Sequence, residues 1–261
     1  MSFEADPWAK FQSLTAARIA MGRAGASLRT QSLLDFTLAH SRARDAVHTP
    51  FESESLAQGL EKLGLQTVEV SSAASSRDEY LRRPDYGRRL SDVARDALQA
   101  VAPADAVDLC LMIGDGLSSA AVHAHAVAFV EALKPWFDSA GWSLAPVALA
   151  SQARVALGDE VGEILKARLV VVLIGERPGL SSPDSLGIYV THTPRLGRND
   201  AERNCISNVR PEGLSYDVAA FKLAWLMDQA LVRGITGVKL KDDSDTLLEN
   251  GKPPKALPKG G

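Results

Sequence analysis

From residue 65 onward, short apolar runs alternate with longer amphipathic stretches. The runs of strand length occupy 66–70, 107–113, 144–150, 168–174 and 186–190. The run at 168–174 is continuous and rich in valine, which is typical of a strand that is buried on both faces of a sheet. The pattern therefore predicts a sheet whose central strands are covered on both sides.

The stretches between these runs carry apolar residues at helical spacing. They occupy 86–101, 117–137, 160–166 and 215–233, and Ser118 or Ser119 can cap the start of the second. Strands that alternate with amphipathic helices favour parallel pairing, because each helix carries the chain back across the sheet. The predicted fold class is α/β: a Rossmann-like, mostly parallel sheet with helices on both faces.

The first fifty residues differ from this pattern. Apolar positions over 7–21 and 30–44 predict two helices that are separated by a glycine-rich break. We interpret 1–50 as an N-terminal helical arm, 51–248 as the main domain and 249–261 as a loose C-terminal tail. The arm either packs on its own domain or docks on another chain, and the pattern leaves both open.

Composition narrows the class of protein. The chain of 261 residues is 46% hydrophobic and carries 29 Lys and Arg against 32 Asp and Glu, a formal charge of -3. This balance argues against general binding to a nucleic-acid backbone, which requires a concentrated basic surface. Cys110 and Cys205 are too few for a disulfide framework, and no apolar run reaches the roughly 20 residues of a membrane span. We expect a soluble, cytoplasmic protein that binds neither nucleic acid nor membrane.

The turn at 114–119 is the first candidate for chemistry, because ligands on parallel sheets bind at the carboxyl ends of the strands. A strand, a Gly-Asp-Gly turn and a serine-capped helix can form an anion cradle, since N–H groups at a helix start attract phosphate. The turn is also similar to the Gly-Asp-Ser block of a serine-hydrolase family, although Gly116 stands where that block has serine. One hypothesis is a free-standing Rossmann-like hydrolase or nucleotide-binding protein, and the alternative is a tight structural turn.

Two other places carry candidate binding groups. Glu176 directly follows the strongest strand, where a carboxylate is costly to bury without a partner. Residues 199–210 are polar and non-periodic, which predicts a long loop containing Cys205. His123 and His125 are two apart in a predicted helix, so they point to different faces and are not expected to bind one metal together. The residues alone indicate binding groups without an acid–base or nucleophilic pair.

Several stretches of the chain resemble the small subunit of ethanolamine ammonia-lyase. In chain order, these blocks are 15–25, 34–48, 85–90, 114–118, 173–180 and 203–208. The similarity runs in order from about residue 6 to residue 248, and the blocks are long enough to be specific.

The resemblance implies an adenosylcobalamin-dependent lyase that converts ethanolamine to acetaldehyde and ammonia. In that family, homolysis of the cobalt–carbon bond gives an adenosyl radical that abstracts hydrogen from the substrate. The large subunit performs this radical step, and the small subunit covers the cofactor, whose own base stays on cobalt. The lack of a catalytic pair and of a DxHxxG block in this sequence agrees with that division.

When the contact residues of the family are transferred to the matching blocks of this sequence, the resemblance implies cofactor contacts at Val155, Glu176 and Cys205. It implies no catalytic or metal-binding residue. Val155 is expected to supply apolar contact. Glu176 is expected to accept hydrogen bonds from the amide side arms of the cofactor. Cys205 is expected to be a small, soft group that packs beside the corrin ring.

The resemblance also implies a partner, the large subunit, in an assembly of six copies of each chain arranged as a trimer of paired heterodimers. Some relatives carry an additional N-terminal stretch associated with packing into a bacterial microcompartment, whereas the similarity here begins almost at Met1. A free cytoplasmic enzyme and an encapsulated one both stay open. A third hypothesis is a scaffold subunit that binds no ligand.

Overall fold

The computed structural model describes residues 6–15, 17–24 and 26–257 of the chain. Its N-terminal segment consists of a short 3-10 helix (Ala9–Leu14), the two-residue strands β1 (Arg23–Ala24) and β2 (Ser27–Leu28), and helix α1 (Thr30–His48). The strands β1 and β2 pair antiparallel as a small hairpin. Along α1, Ala46 is the one buried residue.

The helix predicted over 7–21 is therefore wrong, whereas the helix predicted over 30–44 is confirmed. A short helix needs an apolar face against the body of the protein to be stable. Trp8 and Leu14 are 64% and 78% exposed, so this stretch lacks such packing. The N-terminal segment is therefore not helical throughout, because the hairpin of β1 and β2 lies between the 3-10 helix and α1. Its residues 1–5, 16 and 25, and residues 258–261 of the predicted tail, lie outside the described part of the chain.

A six-stranded sheet forms the centre of the main domain. Its strands are β3 (Thr67–Ser71), β4 (Val107–Gly114), β5 (Val147–Ser151), β6 (Ala167–Gly175), β7 (Leu186–His192) and β8 (Arg203–Val209). The spatial order is β3-β5-β4-β6-β7-β8. The first four strands in this order pair parallel, and β7 and β8 add antiparallel strands at one edge. The predicted mostly parallel sheet is confirmed.

Helices cover both faces of the sheet, as predicted. They are α2 (Ser53–Lys62), α3 (Arg77–Arg82), α4 (Asp92–Val101), α5 (Ser119–Ala140), α6 (Leu157–Ile164) and α7 (Tyr216–Arg233). Helices α2, α5 and α7 bury their apolar residues in a cluster on one face, and α4 and α6 do so on the other. No helix in the described part of the chain is long and apolar enough to cross a membrane.

The connections after β4 and β5 position the candidate sites. Strand β4 leads into α5 on one face, whereas the neighbouring β5 leads into α6 on the opposite face. Where the connections of two adjacent strands diverge in this way, a crevice forms at the carboxyl edge of the sheet, and doubly wound sheets bind ligands there. The turns after β4, β5 and β6 all lie at this edge.

The long loop predicted over 199–210 is wrong over most of its length, because β8 occupies Arg203–Val209. This strand lies at the edge of the sheet, so that Cys205, Ser207 and Asn208 are exposed while Ile206 and Val209 are buried. A register shift near Leu186 interrupts its pairing with β7. Because β8 is rich in polar residues and does not alternate regularly between apolar and polar positions, the sequence pattern does not reveal it as a strand.

Candidate functional site

An open surface on the α4 and α6 face of the sheet is centred on Tyr189. Tyr189 of β7 lies opposite Cys205 of β8 in the antiparallel pair, so both side chains point to the same face. The half-buried ring packs against the apolar cluster beneath the helices. We call Arg154, Val155, Glu176, Tyr189 and Cys205 the Tyr189 surface.

The Tyr189 hydroxyl is held in its protonated form. Burial raises the pKa of the Tyr189 phenol, because a phenolate would be poorly solvated there, and the neighbouring Cys205 and Glu176 raise it further. At neutral pH the group is therefore available as a hydrogen-bond donor.

Val155 reaches this surface from the turn after β5. In that turn Gln152 adopts a left-handed backbone with a φ of 55°. The half-buried Val155 and Tyr189 line one shallow cavity of about 400 Å³. Its remaining walls are formed by Pro84, Arg88, Arg154, Ala156 and Asp200. The cavity is open to solvent, so a second surface is needed to enclose a bound molecule.

Glu176 follows β6 and folds back over the same face. Its Oε2 accepts a hydrogen bond from the Ser185 hydroxyl and another from the backbone N–H of Asn208 at 3.3 Å. The side chain lies over Gly187, where a Cβ atom would be 3.0 Å from the Glu176 Cγ. Gly187 and Tyr189 are two apart on β7 and share one face. Since both bonds use Oε2, Oε1 of this half-buried side chain can accept from a bound molecule.

Cys205 is the exposed member of the set. Its Sγ lies 3.3 Å from the Ser207 Oγ. The thiol lies on the strand itself and not in the loop that the sequence predicts, and pairing with β7 places it beside Tyr189. The structure thus brings all three residues assigned by the resemblance, Val155, Glu176 and Cys205, to the Tyr189 surface.

The turn at 114–119 has a different character. Asp115 is 1% exposed and accepts hydrogen bonds from the backbone N–H groups of Gln152 at 3.0 Å and Ala153 at 2.8 Å, and it pairs with Arg77 at 3.1 Å. Burial raises the pKa of Asp115, while these donors and the Arg77 charge oppose the shift. Gly116 has a φ of 57°, and a Cβ there would be 2.2 Å from the Gly175 carbonyl oxygen.

Ser118 completes this turn as a helix cap. Its Oγ accepts from the Ala121 N–H at 3.2 Å and donates to the Pro183 carbonyl at 2.9 Å. The predicted capping role is confirmed for Ser118. Because the buried Ser118 hydroxyl already donates a hydrogen bond to a carbonyl, the geometry favours a structural role for this turn and not a role for Ser118 as a nucleophile.

Comparison with known proteins identifies the family. A family model described as "Ethanolamine ammonia-lyase light chain (EutC)" matches residues 5–241. The chain belongs to the ethanolamine ammonia-lyase light-chain family. The resemblance in the sequence blocks is confirmed.

Individual relatives of this light chain are similar over most of its length. It is 55% identical over 245 residues to the "Ethanolamine ammonia-lyase small subunit" of Xanthomonas campestris pv. campestris, covering 93% of this chain and 90% of the relative. The proteins of the same name from Pseudomonas syringae pv. tomato and Azotobacter vinelandii are each 52% identical, covering 92% and 94% of this chain and 84% and 92% of theirs. Their name implies a larger partner subunit for those proteins.

Two members of the Tyr189 surface were not predicted as contacts from the sequence of this light chain. Tyr189 lies within the apolar run 186–190, which indicates only a buried strand. The alternation of side chains along a strand places Gly187 and Tyr189 on the same face of β7, and this is the one feature of the sequence that could have pointed to Tyr189. Arg154 precedes Val155 directly and shares its cavity.

The two histidines of α5 have separate packing roles. The His123 Nε2 accepts from the Glu52 N–H at 3.0 Å, and its ring stacks on Phe51. The buried His125 Nδ1 lies 2.7 Å from the Tyr216 hydroxyl. Among the described residues, no three His, Cys, Asp or Glu side chains are grouped so that they could hold a metal ion.

Proposed function

We propose that this light chain is the small subunit of an adenosylcobalamin-dependent ethanolamine ammonia-lyase, which converts ethanolamine to acetaldehyde and ammonia. Its role is to help bind the cofactor at the contact with a larger, catalytic subunit. The observation that carries the proposal is the convergence of Val155, Glu176 and Cys205 on the Tyr189 surface, although they come from three different elements.

The residues of the Tyr189 surface fit a corrin chemically. A corrin is a wide, flat macrocycle with an apolar face and a rim of amide side arms. Val155 and the Tyr189 ring offer apolar and aromatic contact, and the Glu176 Oε1 can accept from an amide N–H. A hydrogen bond to a charged group contributes about 1.5–3 kcal/mol. Arg154 lines the same cavity, so its guanidinium can donate to a bound group, and its buried Nε has no hydrogen-bond partner among the described residues.

The cofactor supplies the radical chemistry when it is bound, so this chain needs no reagent of its own. Glu176 orients the amide rim, because Ser185 and Asn208 hold its carboxylate in place. Val155 and Tyr189 exclude water from the contact. Burial raises the pKa of the Cys110 thiol to about 12, so this thiol is not suited as a nucleophile. Cys205 lies beside Tyr189, where its role is to pack against the corrin.

The proposed partner is the large subunit, in a heterododecamer built as a trimer of paired heterodimers. The open cavity at Val155 supports a partner, since a second surface must complete the enclosure. We propose that the assembly works in the cytoplasm, either free or inside a bacterial microcompartment.

The test is reconstitution of the complex. Co-expressed with a large subunit, the chain is expected to co-purify with it, and the complex is expected to release ammonia from ethanolamine only when adenosylcobalamin is added. Glu176→Ala is expected to weaken cobalamin retention while the assembly stays intact, and Glu176→Gln serves as the isosteric control. Turnover by the purified chain alone would contradict the proposal.

A further inference from the structure

Arg154 differs from Arg77 and Arg88, two other arginines near the carboxyl edge of the sheet. Arg77 pairs with Asp115 and Arg88 with Asp200, at 3.1 and 3.5 Å. The Arg154 side chain, in contrast, forms no hydrogen bond or ion pair with the described residues, and its Nε is buried. Apart from the Tyr80 ring beneath it, the half-buried guanidinium has no anion or hydrogen-bond acceptor among the described residues. Burying a charge without such a partner is costly, so this group indicates an acceptor that this chain does not provide.

The protein holds this side chain in a formed slot. The Arg154 stem crosses Gly87, where a Cβ would be 2.9 Å from the Arg154 Cγ. Its guanidinium lies 4.3 Å from the centre of the Tyr80 ring. Tyr80 is fully buried and fixed, because its hydroxyl donates to the Ala153 carbonyl at 3.0 Å. An ordered guanidinium loses little further freedom when it binds a planar or tetrahedral anion.

The place of the slot indicates the ligand. Arg154 lines the same cavity as Val155 and Tyr189, so an anion bound there lies beside the proposed corrin contacts. The amide rim of a corrin is neutral, whereas the nucleotide tail of cobalamin carries a phosphodiester. Guanidinium groups bind phosphate oxygens in paired, charge-assisted hydrogen bonds. We propose, resting on the function proposed above, that Arg154 binds the phosphodiester of the cobalamin tail.

The experiment compares three corrinoids on the assembled complex of this chain with its large partner. Cyanocobalamin carries the whole tail, cobinamide phosphate carries the phosphate without ribose and base, and cobinamide lacks all of them. Affinities are measured by equilibrium dialysis with absorbance detection. Arg154→Gln is expected to weaken the affinity of the complex for cyanocobalamin and for cobinamide phosphate by about 10- to 100-fold, which is the effect of losing one charged hydrogen bond. The affinity for cobinamide is expected to stay within about twofold of that of the unsubstituted complex.

Two further variants separate binding from folding. Arg89→Gln removes an equal charge from the neighbouring turn, where Arg89 is paired with Glu160, and is expected to leave all three affinities unchanged. Arg154→Lys keeps the charge and is expected to restore part of the lost affinity for the two phosphate-bearing ligands. Circular dichroism and the urea midpoint show whether Arg154→Gln still folds.

Equal losses for all three ligands would overturn the assignment, because the residue would then act on the corrin or on the fold. Unchanged affinity for all three would overturn it as well. Failure of the unsubstituted complex to bind any of the three is a different result, since it contradicts the proposed function itself.

Discussion

The turn at 114–119 and the Tyr189 surface lie near the same end of the sheet, and both carry groups that the sequence marks as candidates for chemistry. In the turn, the polar atoms of Asp115 and Ser118 bond to the protein itself. On the Tyr189 surface, Cys205 is exposed, and Glu176 forms its side-chain hydrogen bonds through one carboxylate oxygen. The Arg154 Nε has no hydrogen-bond partner among the described residues.

A conspicuous motif and a binding surface are thus recognised by different properties. The polar groups of the turn satisfy one another and hold the carboxyl edge of the sheet together. The groups of the Tyr189 surface leave hydrogen-bonding capacity unused on an open face, as a surface that meets another molecule must. Three substitutions test this contrast between the two regions.

The largest effect is expected for Asp115→Ala. Without this carboxylate the half-buried Arg77 charge loses its ion-pair partner and keeps only the carbonyl groups of Val47 and Gly116 as acceptors. The N–H groups of Gln152 and Ala153 lose their acceptor as well. Breaking one side of a buried ion pair costs about 3–5 kcal/mol, so the free energy of unfolding should fall by that amount. Urea unfolding measures it.

Asp85→Ala is the matched control, because Asp85 pairs with Arg83 on the exposed surface. Its unfolding midpoint is expected to stay unchanged. If Asp115→Ala unfolded at the same urea concentration as this control, the turn would not have the structural role that its contacts indicate.

A smaller effect is expected for Gly187→Ala, on the Tyr189 surface. The added Cβ would lie 3.0 Å from the Glu176 Cγ, so the carboxylate has to move. We expect about tenfold weaker cobalamin binding, comparable to losing one charged hydrogen bond, with an unchanged unfolding midpoint.

A double variant that combines Gly187→Ala with Glu176→Ala shows how Gly187→Ala lowers the affinity for cobalamin. If the glycine acts through the carboxylate, the two losses are not additive, and the double variant binds cobalamin as Glu176→Ala does. Additive losses would show that Gly187 acts on the ligand independently of Glu176.

The smallest effect is expected for Ser118→Ala. Loss of the cap costs about 1 kcal/mol of unfolding free energy, while cobalamin affinity should not change. Ser119→Ala, beside the cap, serves as the comparison in the same unfolding assay. Complete loss of activity with normal stability would favour a serine nucleophile and would reverse the contrast between the two regions.

Much of the fold could be predicted because the local pattern decides it. Strand β6 is a continuous apolar run, and α7 carries a helical stripe of large apolar residues, so both were predicted within two residues of their bounds. Strand β8 was missed because an edge strand is stabilised by pairing with β7 and not by a buried face of its own. The 3-10 helix Ala9–Leu14 was predicted as part of a longer helix, because periodicity does not show whether the body offers a packing surface.

The candidate site was predictable to a smaller extent. The rule for parallel sheets places Val155 and Glu176 after strand ends, and the structure confirms that position. The choice of Val155, Glu176 and Cys205 as contacts came from the family resemblance and not from spacing. Tyr189 could not be singled out, since only its pairing with Cys205 shows which side of β7 stays open.

The most direct test of the Tyr189 surface as the cofactor contact is a structure of the assembled complex with cobalamin bound. We expect corrin atoms within about 4 Å of the Val155, Glu176 and Cys205 side chains, the usual distance of side-chain contact. A bound corrin that touches none of these three residues would contradict it.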